Sequence, residues 1–180
     1  MRKIKVYAIT SLDGFTARIN GDTDWVLDYP DPSGNNYGFG EFFNSIDSVV
    51  FDRSYYISAM SDGMRWRFAD KRCYVVCDEE FYTASDKNIN FMLTTASSPV
   101  EQVKALQQTP GNDIWLAGDD QLMAQLMEHG MVDELIINIL PIQLEKGQPL
   151  SPSCHTDHSW QLVNKVQFDN GMEQLHYVKA

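Results

Sequence analysis

A chain of 180 residues with 43% hydrophobic and 22% charged residues has the size and composition of one globular domain, spanning 1–180, able to bury a full core. Its formal charge of −11 argues against nucleic acid or an anionic membrane as partner, since either would meet a basic face. The three cysteines, Cys73, Cys77 and Cys154, form no CxxC pair and suit reduced thiols better than a disulfide framework.

The N-terminal residues Met1 to Tyr7 are basic and carry too few apolar residues for a signal-peptide core. No later stretch approaches the ~20 apolar residues of a membrane span, so a cytoplasmic protein is expected. Lys3 to Thr10 reads as a first strand, followed by Ser11-Leu12-Asp13-Gly14-Phe15-Thr16-Ala17. Asp13-Gly14 is a turn signal, because Asp bonds forward to the backbone and Gly accepts positive φ. From Gly21 to Gly40 the chain is a loop rich in Asp, Pro, Gly and Asn, with Trp25, Tyr29, Tyr37 and Phe39 scattered through it. A loop this aromatic packs onto something: either it is a lid over a planar ligand, or it covers the edge of the sheet.

Phe39 to Ile46 predicts a short helix and Ser48 to Asp52 a second strand, with Arg53 and Ser54 at the turn into another helix. A lone Arg beside Asp52 reads as a surface ion pair or as a phosphate ligand. Beyond that helix, Arg65 and Arg67 flank Trp66 in a loop. Two guanidinium groups there could grip a substrate phosphate by bidentate bonds, although the alternation also suits an edge strand. Cys73 to Cys77 predicts a strand that ends in Asp78-Glu79-Glu80. Phe91 to Thr95 predicts another strand, and Pro99 to Gln107 a helix capped by Ser98.

The clearest grammar lies in Asp113 to Leu150. Ile114 to Ala117 is a short apolar strand stopped by Gly118, Asp119 and Asp120. Leu122, Met123, Leu126 and Met127 then recur on one helical stripe, and Gly130 supplies a left-handed stop. Leu135 to Leu140 is a strand apolar on both faces, ended by Pro141. Two strands joined by a helix are normally parallel, and the strand-to-helix turn at 117–120 collects free N–H groups suited to phosphate. Trp160 to Phe168 and Glu173 to Val178 alternate around Asn170-Gly171, a hairpin signal. Cys154, His155, Asp157 and His158 crowd one loop without the spacing of a structural metal site, and no metal is expected.

Ser11 to Ala17 followed by Trp25, together with the strand, glycine turn, helix, Val132-Asp133-Glu134-Leu135, apolar strand, Pro141 and Lys146-Gly147, resembles the dihydrofolate-reductase-like reductases. Within them it is most similar to the C-terminal reductase domain of the bifunctional riboflavin-biosynthesis deaminase/reductase. The resemblance implies a three-layer α/β fold, with a mixed, mostly parallel central sheet flanked by helices and an antiparallel C-terminal hairpin. It also implies a homodimer and NADPH-dependent reduction of a pyrimidine- or pteridine-like small molecule, in the manner of 5-amino-6-(5-phosphoribosylamino)uracil reductase.

Carried over by position, the resemblance makes Asp13 the residue that orients substrate and cofactor. It places Thr10, Thr16, Arg53, Ser54, Gly118, Asp119 and Asp120 around NADPH and Trp25 near the substrate, where Arg65 and Arg67 join it as candidates by their own chemistry. Asp119 and Asp120 stand where relatives carry glycine, Asp52 replaces the Gly of a Gly-Arg motif, and Asp78-Glu79-Glu80 lies where relatives place Ser and Arg for the extra phosphate of NADPH. These departures leave a second reading open, a relative that binds a small planar ligand and no longer binds NADPH. The zinc signature of a deaminase half is absent from the sequence.

Overall fold

The computed structural model describes residues 1–31, 34, 36–61, 66, 68–81, 88–117, 120–150 and 158–180. Among the described residues the α-helices and β-strands follow in chain order as β1 (Ile4–Thr10), β2 (Phe15–Ala17), α1 (Phe39–Ser45), β3 (Ile46–Asp52), α2 (Arg53–Ser61), β4 (Arg72–Cys77), β5 (Ile89–Leu93), α3 (Pro99–Gln107), β6 (Asp113–Leu116), α4 (Asp120–Glu128), β7 (Glu134–Ile139), β8 (Gln148–Pro149), β9 (Trp160–Gln167) and β10 (Glu173–Lys179), with short 3-10 turns at Asp24–Asp28 and Asn36–Gly38. Eight strands form one sheet in the order β5-β4-β3-β6-β1-β7-β10-β9. The pairings from β5 to β7 are all parallel. In this sheet β10 runs antiparallel to both of its neighbours, β7 and β9, and β9 and β10 form the hairpin that Asn170-Gly171 predicted.

Alternation along the strands sorts the side chains into two layers. Ile4, Val6, Ile114 and Leu116 point to the face covered by Val103 and Leu106 of α3 and by Leu122 and Leu126 of α4. Val49, Phe51, Val75 and Trp115 point to the opposite face, covered by Phe42 of α1 and Tyr56 of α2. Because both faces are covered, β3 buries five of its seven residues in a nearly unbroken run. The stripe predicted on α4 is the buried one. Gly130 ends that helix at φ 61, where the N–H of Met131 returns to the carbonyl of Leu126 at 2.9 Å. Ser98 caps α3 in a reciprocal box with Glu101.

The two strands of the central unit, β6 and β7, are not neighbours. Both pair in parallel with β1, which lies between them, so α4 carries the chain across β1. The sequence shows that the two strands run the same way, but an N-terminal strand inserted from far away in sequence leaves no local trace. β5 begins two residues before the expected Phe91, in parallel register with Cys73, and it ends at Leu93, short of the expected Thr95, because Thr94 to Ala96 closes into a turn with Ala96 N–H on the carbonyl of Leu93. The pairing of β2 with β8 was not expected either. It brings Gly147 so close to Ala17 that a β-carbon would fall 2.3 Å from the Ala17 oxygen.

This connectivity makes a crevice. From β3 the chain leaves through α2 on one face toward β4, whereas from β6 it leaves through α4 on the other face toward β7. The two connections part at the carboxyl ends of β3 and β6, the topological switch point where open α/β sheets bind ligands.

Candidate active site at the carboxyl end of the sheet

A cavity of about 290 Å³ opens over the α1 face of β1 and β6, lined by Tyr7, Ile9, Asn36, Tyr37, Phe39 and Trp115. Tyr7 and Ile9 reach it because alternate residues of β1 share that face, and Trp115 arrives from β6 alongside. The rings hold one another: Tyr7 meets Phe39 edge-on at 5.3 Å, and Phe39 meets Trp115 at 5.6 Å. A second cavity, about 370 Å³, lies elsewhere, beside Arg2 and Gly111. There the Arg2 guanidinium is consumed by Asn112, Thr109, Asp47 and Ser48, so we read it as a structural tie.

Residues 36–38 form a strap along one wall. Asn36, Tyr37 and Gly38 take φ of 54°, 56° and 76° in succession, a left-handed run that non-glycine residues adopt at a cost of about 1–2 kcal/mol each. The strap holds because Tyr37 is tied at every polar atom. Its N–H donates to Asp31 Oδ2 at 2.8 Å, and its hydroxyl donates to the Tyr29 carbonyl and accepts from Asn170 Nδ2, both at 2.6 Å. Its carbonyl accepts from the Tyr7 hydroxyl at 3.1 Å and from Gln174 Nε2 at 2.8 Å. The second amide hydrogen of Gln174 goes to Asn138 Oδ1, and Asn138 Nδ2 donates to the Ala8 carbonyl at 3.1 Å. Asn138 is fully buried in the middle of β7. Burial pushes the Tyr7 phenol up to about 12, with the Asp31 charge adding to the shift and hydrogen bonds from Asn138 and Gln174 opposing it.

The sequence-derived candidates fall in several places. Asp13 lies just past the end of β1, exposed, with Ser11 Oγ donating to it at 2.6 Å and the N–H groups of Leu144 and Glu145 at 3.2 and 2.8 Å. Those bonds, the one from Ser11 first, hold its carboxyl below the usual range and clamp the loop after β7 to the exit of β1. Thr10 is buried at the end of β1, and Thr16 Oγ1 donates to the Gln148 carbonyl across the β2–β8 pair. Trp25 is buried in a third cluster with Tyr37, Leu140, Leu144 and Met172, beneath the aromatic loop and apart from the cavity lining. The loop thus closes the end of the sheet through Trp25 and walls the cavity through Tyr37.

At the switch point, Asp52 accepts from the N–H of Tyr55 at 2.9 Å and so caps α2, a structural use for an acid at this position. Arg53 reaches back to β4, with Nη1 3.7 Å from Asp78 and 3.5 Å from Glu79 and its guanidinium over the Phe81 ring. The donor set therefore fits a dinucleotide phosphate at one guanidinium and the N-terminal turn of α2, with the guanidinium already shared. Arg65, Arg67, Gly118 and Asp119 lie outside the described residues, as does the loop with Cys154, His155 and Asp157, and of Asp120 only the backbone is described. Among the described residues no group of three or more His, Cys, Asp or Glu could hold a metal ion.

With the carboxyl-end crevice, the clamp at Asp13 and the C-terminal hairpin in place, the sequence match becomes decisive. The RibD C-terminal domain pattern covers residues 2–173. This chain belongs to the RibD C-terminal domain family. The uncharacterized protein YwjB of Bacillus subtilis strain 168 is 32% identical over 179 residues, covering 99% of each chain. A candidate riboflavin biosynthesis protein of Shewanella sp. PV-4 superposes with a TM-score of 0.83 at 20% identity, covering 99% of each chain. Dihydrofolate reductase of Enterococcus faecalis, complexed with NADP(H), superposes at 0.67 with 12% identity, covering 98% of this chain and 96% of that one. The fold is dihydrofolate-reductase-like.

Sequence reading missed Tyr7, Asn138, Gln174 and Trp115 as site residues. One signal was present: Asn138 interrupts Leu135-Ile136-Ile137 and Ile139-Leu140, and a buried amide in such a strand must be satisfied by something specific.

Proposed function

We propose that the protein is an NADPH-dependent reductase of a pyrimidine- or pteridine-like small molecule, resembling 5-amino-6-(5-phosphoribosylamino)uracil reductase. The observation that carries this reading is that β6 serves two places at once. Trp115 walls the aromatic cavity, and Ala117, two residues on, enters the crevice at the switch point.

Bound NADPH, the family's cofactor, supplies a hydride. Arg53, Ser54 and the turn at Gly118, Asp119 and Asp120 would hold its phosphates, and Thr10 and Thr16 would lie near its nicotinamide. Asp13 positions the exit of β1, the wall of Tyr7, Phe39 and Trp115 orients a flat ring, and the raised Tyr7 phenol keeps its proton, and with it the bond to the Tyr37 carbonyl that holds the wall in place. The product gains the hydride and one proton across a C=N or a C=O. Mixing the protein with NADPH and a panel of oxidised pyrimidines and pteridines, and following NADPH absorbance, tests the reading. No oxidation with any of them, and no NADPH binding, would reject it.

A second reading is supported by the ion pairs of Arg53 with Asp78 and Glu79: a relative that keeps the cavity for a planar ligand without the dinucleotide. NADPH titration separates the two. The family resemblance also supports a cytoplasmic homodimer. No helix among the described residues is long and apolar enough to cross a membrane. The edge strand β9 presents Leu162 and Val163, 46% and 48% exposed, to a second copy. A monomer in light scattering at high micromolar concentration would remove the dimer.

A further inference from the structure

The cavity is small and its chemistry is one-sided. At about 290 Å³ it sits at the bottom of the range of about 300–1,000 Å³ that small-molecule pockets occupy, which leaves room for one or two fused rings. A ribosyl phosphate attached to such a ring would have to lie at the rim. Four of the six lining residues are aromatic, and their faces attract flat rings and, more strongly, cationic ones.

Behind the strap stands a carboxylate. Asp31 Oδ2 accepts the N–H of Tyr37 at 2.8 Å, so a negative charge lies one hydrogen bond behind the cavity wall. It bears on the cavity directly: after burial, the Asp31 charge helps to hold the phenols of both Tyr7 and Tyr37 above their ordinary range. The whole chain also carries a charge of −11. A phosphorylated ring would meet this field with the wrong sign.

We infer that the substrate is a flat nitrogen heterocycle, neutral or protonated, that carries no phosphate group, unlike the phosphoribosylated substrate of the related uracil reductase. The inference rests on the cavity being the substrate site of the proposed reductase. Matched pairs differing only in phosphate test it in the full chain: uridine against uridine 5′-monophosphate, and inosine against inosine 5′-monophosphate. Quenching of tryptophan fluorescence reads binding, since Trp115 is in the wall. The unphosphorylated member should bind at least about tenfold more tightly, the gap should shrink with added salt, and Phe39→Ala should weaken both members alike.

Asp31→Asn should narrow the gap without abolishing nucleoside binding. Equal or tighter binding of the nucleotides overturns the inference, decisively so if Arg65→Ala or Arg67→Ala removes that advantage. Failure of both members of both pairs to bind also overturns it. NADPH binding, read separately from the fluorescence of the cofactor, reports on the reductase reading alone, so either idea can fall while the other stands.

Discussion

The Tyr7 hydroxyl donates to the carbonyl oxygen of Tyr37 at 3.1 Å, so the first strand of the sheet holds the left-handed strap that walls the cavity. Position 7 is fixed by the strand ladder, with Lys5, Val6 and Ala8 paired to β7 on either side. Position 37 has no ladder. It is placed by side chains from four separate segments, which is how a strained backbone is normally maintained at a site of function.

Replacing Tyr7 with Phe removes one of two hydrogen bonds to that carbonyl and leaves the ring. A loss of about 0.5–1.5 kcal/mol is expected, or a few degrees in melting temperature for a chain of this size. The alkaline limb carries the sign. A phenol whose folded pKa lies near 12 contributes stability that is complete below its unfolded pKa near 10 and is lost as pH rises toward the folded value. Thermal melts of both proteins between roughly pH 9 and 11 should therefore converge as pH rises. Parallel curves would show that Tyr7 does not titrate as its burial requires.

Asn138→Leu leaves one amide hydrogen of Gln174 without its acceptor and removes the side-chain donor from the Ala8 carbonyl, which stays in the β1–β7 ladder, in a place closed to water. Each group left unpaired costs about 1–3 kcal/mol. Adding Gln174→Leu removes a stranded partner, so the double variant should lose less stability than the sum of the singles. Strict additivity in denaturant melts would mean that the two amides do not act as a unit. Ligand binding should fall in both single variants, because both release the strap.

These residues mark where the sequence was legible and where it was not. The order of the helices and of the sheet's longer strands, the α4 stripe, the Gly130 stop, the Ser98 cap and the Asn170-Gly171 hairpin could be read, because each is a local pattern within about ten residues, whereas the short strands β2 and β8 could not. The insertion of β1 between β6 and β7 could not, because pairing of Lys5 with both Trp115 and Glu134 joins segments more than a hundred residues apart. The cavity was legible only in part. An aromatic loop from 21 to 40 announced that something would be covered, but Trp25 and Tyr37 look alike in sequence, and only packing shows that one fills the core while the other walls the cavity. Asp13 was found through its motif, and the structure adds the clamp on Leu144 and Glu145 that no local pattern encodes.

Acid should weaken the fold through Glu134. Burial pushes this carboxyl up, but the hydrogen bond from Lys3 at 2.6 Å, the Lys5 charge and His176 at 3.0 Å pull it further down, so its folded pKa lies below the ordinary value. Its contribution is then complete above the ordinary glutamate pKa of about 4.3 and is lost as pH falls through the folded value. Glu134→Gln should cost about 1.5–3 kcal/mol at pH 7, the usual scale for a hydrogen bond to a charged group, and much less near pH 3. Melts at the two pH values check this. A penalty that persists undiminished in acid would assign the loss to packing and not to charge.

The last prediction concerns the pair of acids at the end of β4, Asp78 and Glu79, and their hold on Arg53. Both are largely exposed, at 77% and 72%, and the ion pairs of 3.7 and 3.5 Å are of a kind worth about 0–1 kcal/mol. Arg53 can therefore be drawn away by a phosphate at little cost, but the two carboxylates stay beside it. At about 6 Å in water each repels a unit of phosphate charge by roughly 0.7 kcal/mol, so the two together cost about 1.4 kcal/mol, a factor of about ten in affinity. Asp78→Asn with Glu79→Gln should raise NADPH affinity by about that factor while changing the melting temperature little. NADH lacks the additional phosphate, so the ratio of NADPH to NADH affinity should rise in the double variant. Added salt should strengthen NADPH binding to the wild type, the reverse of an ordinary basic phosphate site, because screening relieves a repulsion that faces solvent. Arg53→Ala gives the control, since it should weaken NADPH binding in the double variant more than in the wild type, where the acids already share the guanidinium. Unchanged NADPH affinity in the double variant would mean that the phosphates lie away from the end of β4, and the carboxyl end of β6 would then have to hold them alone.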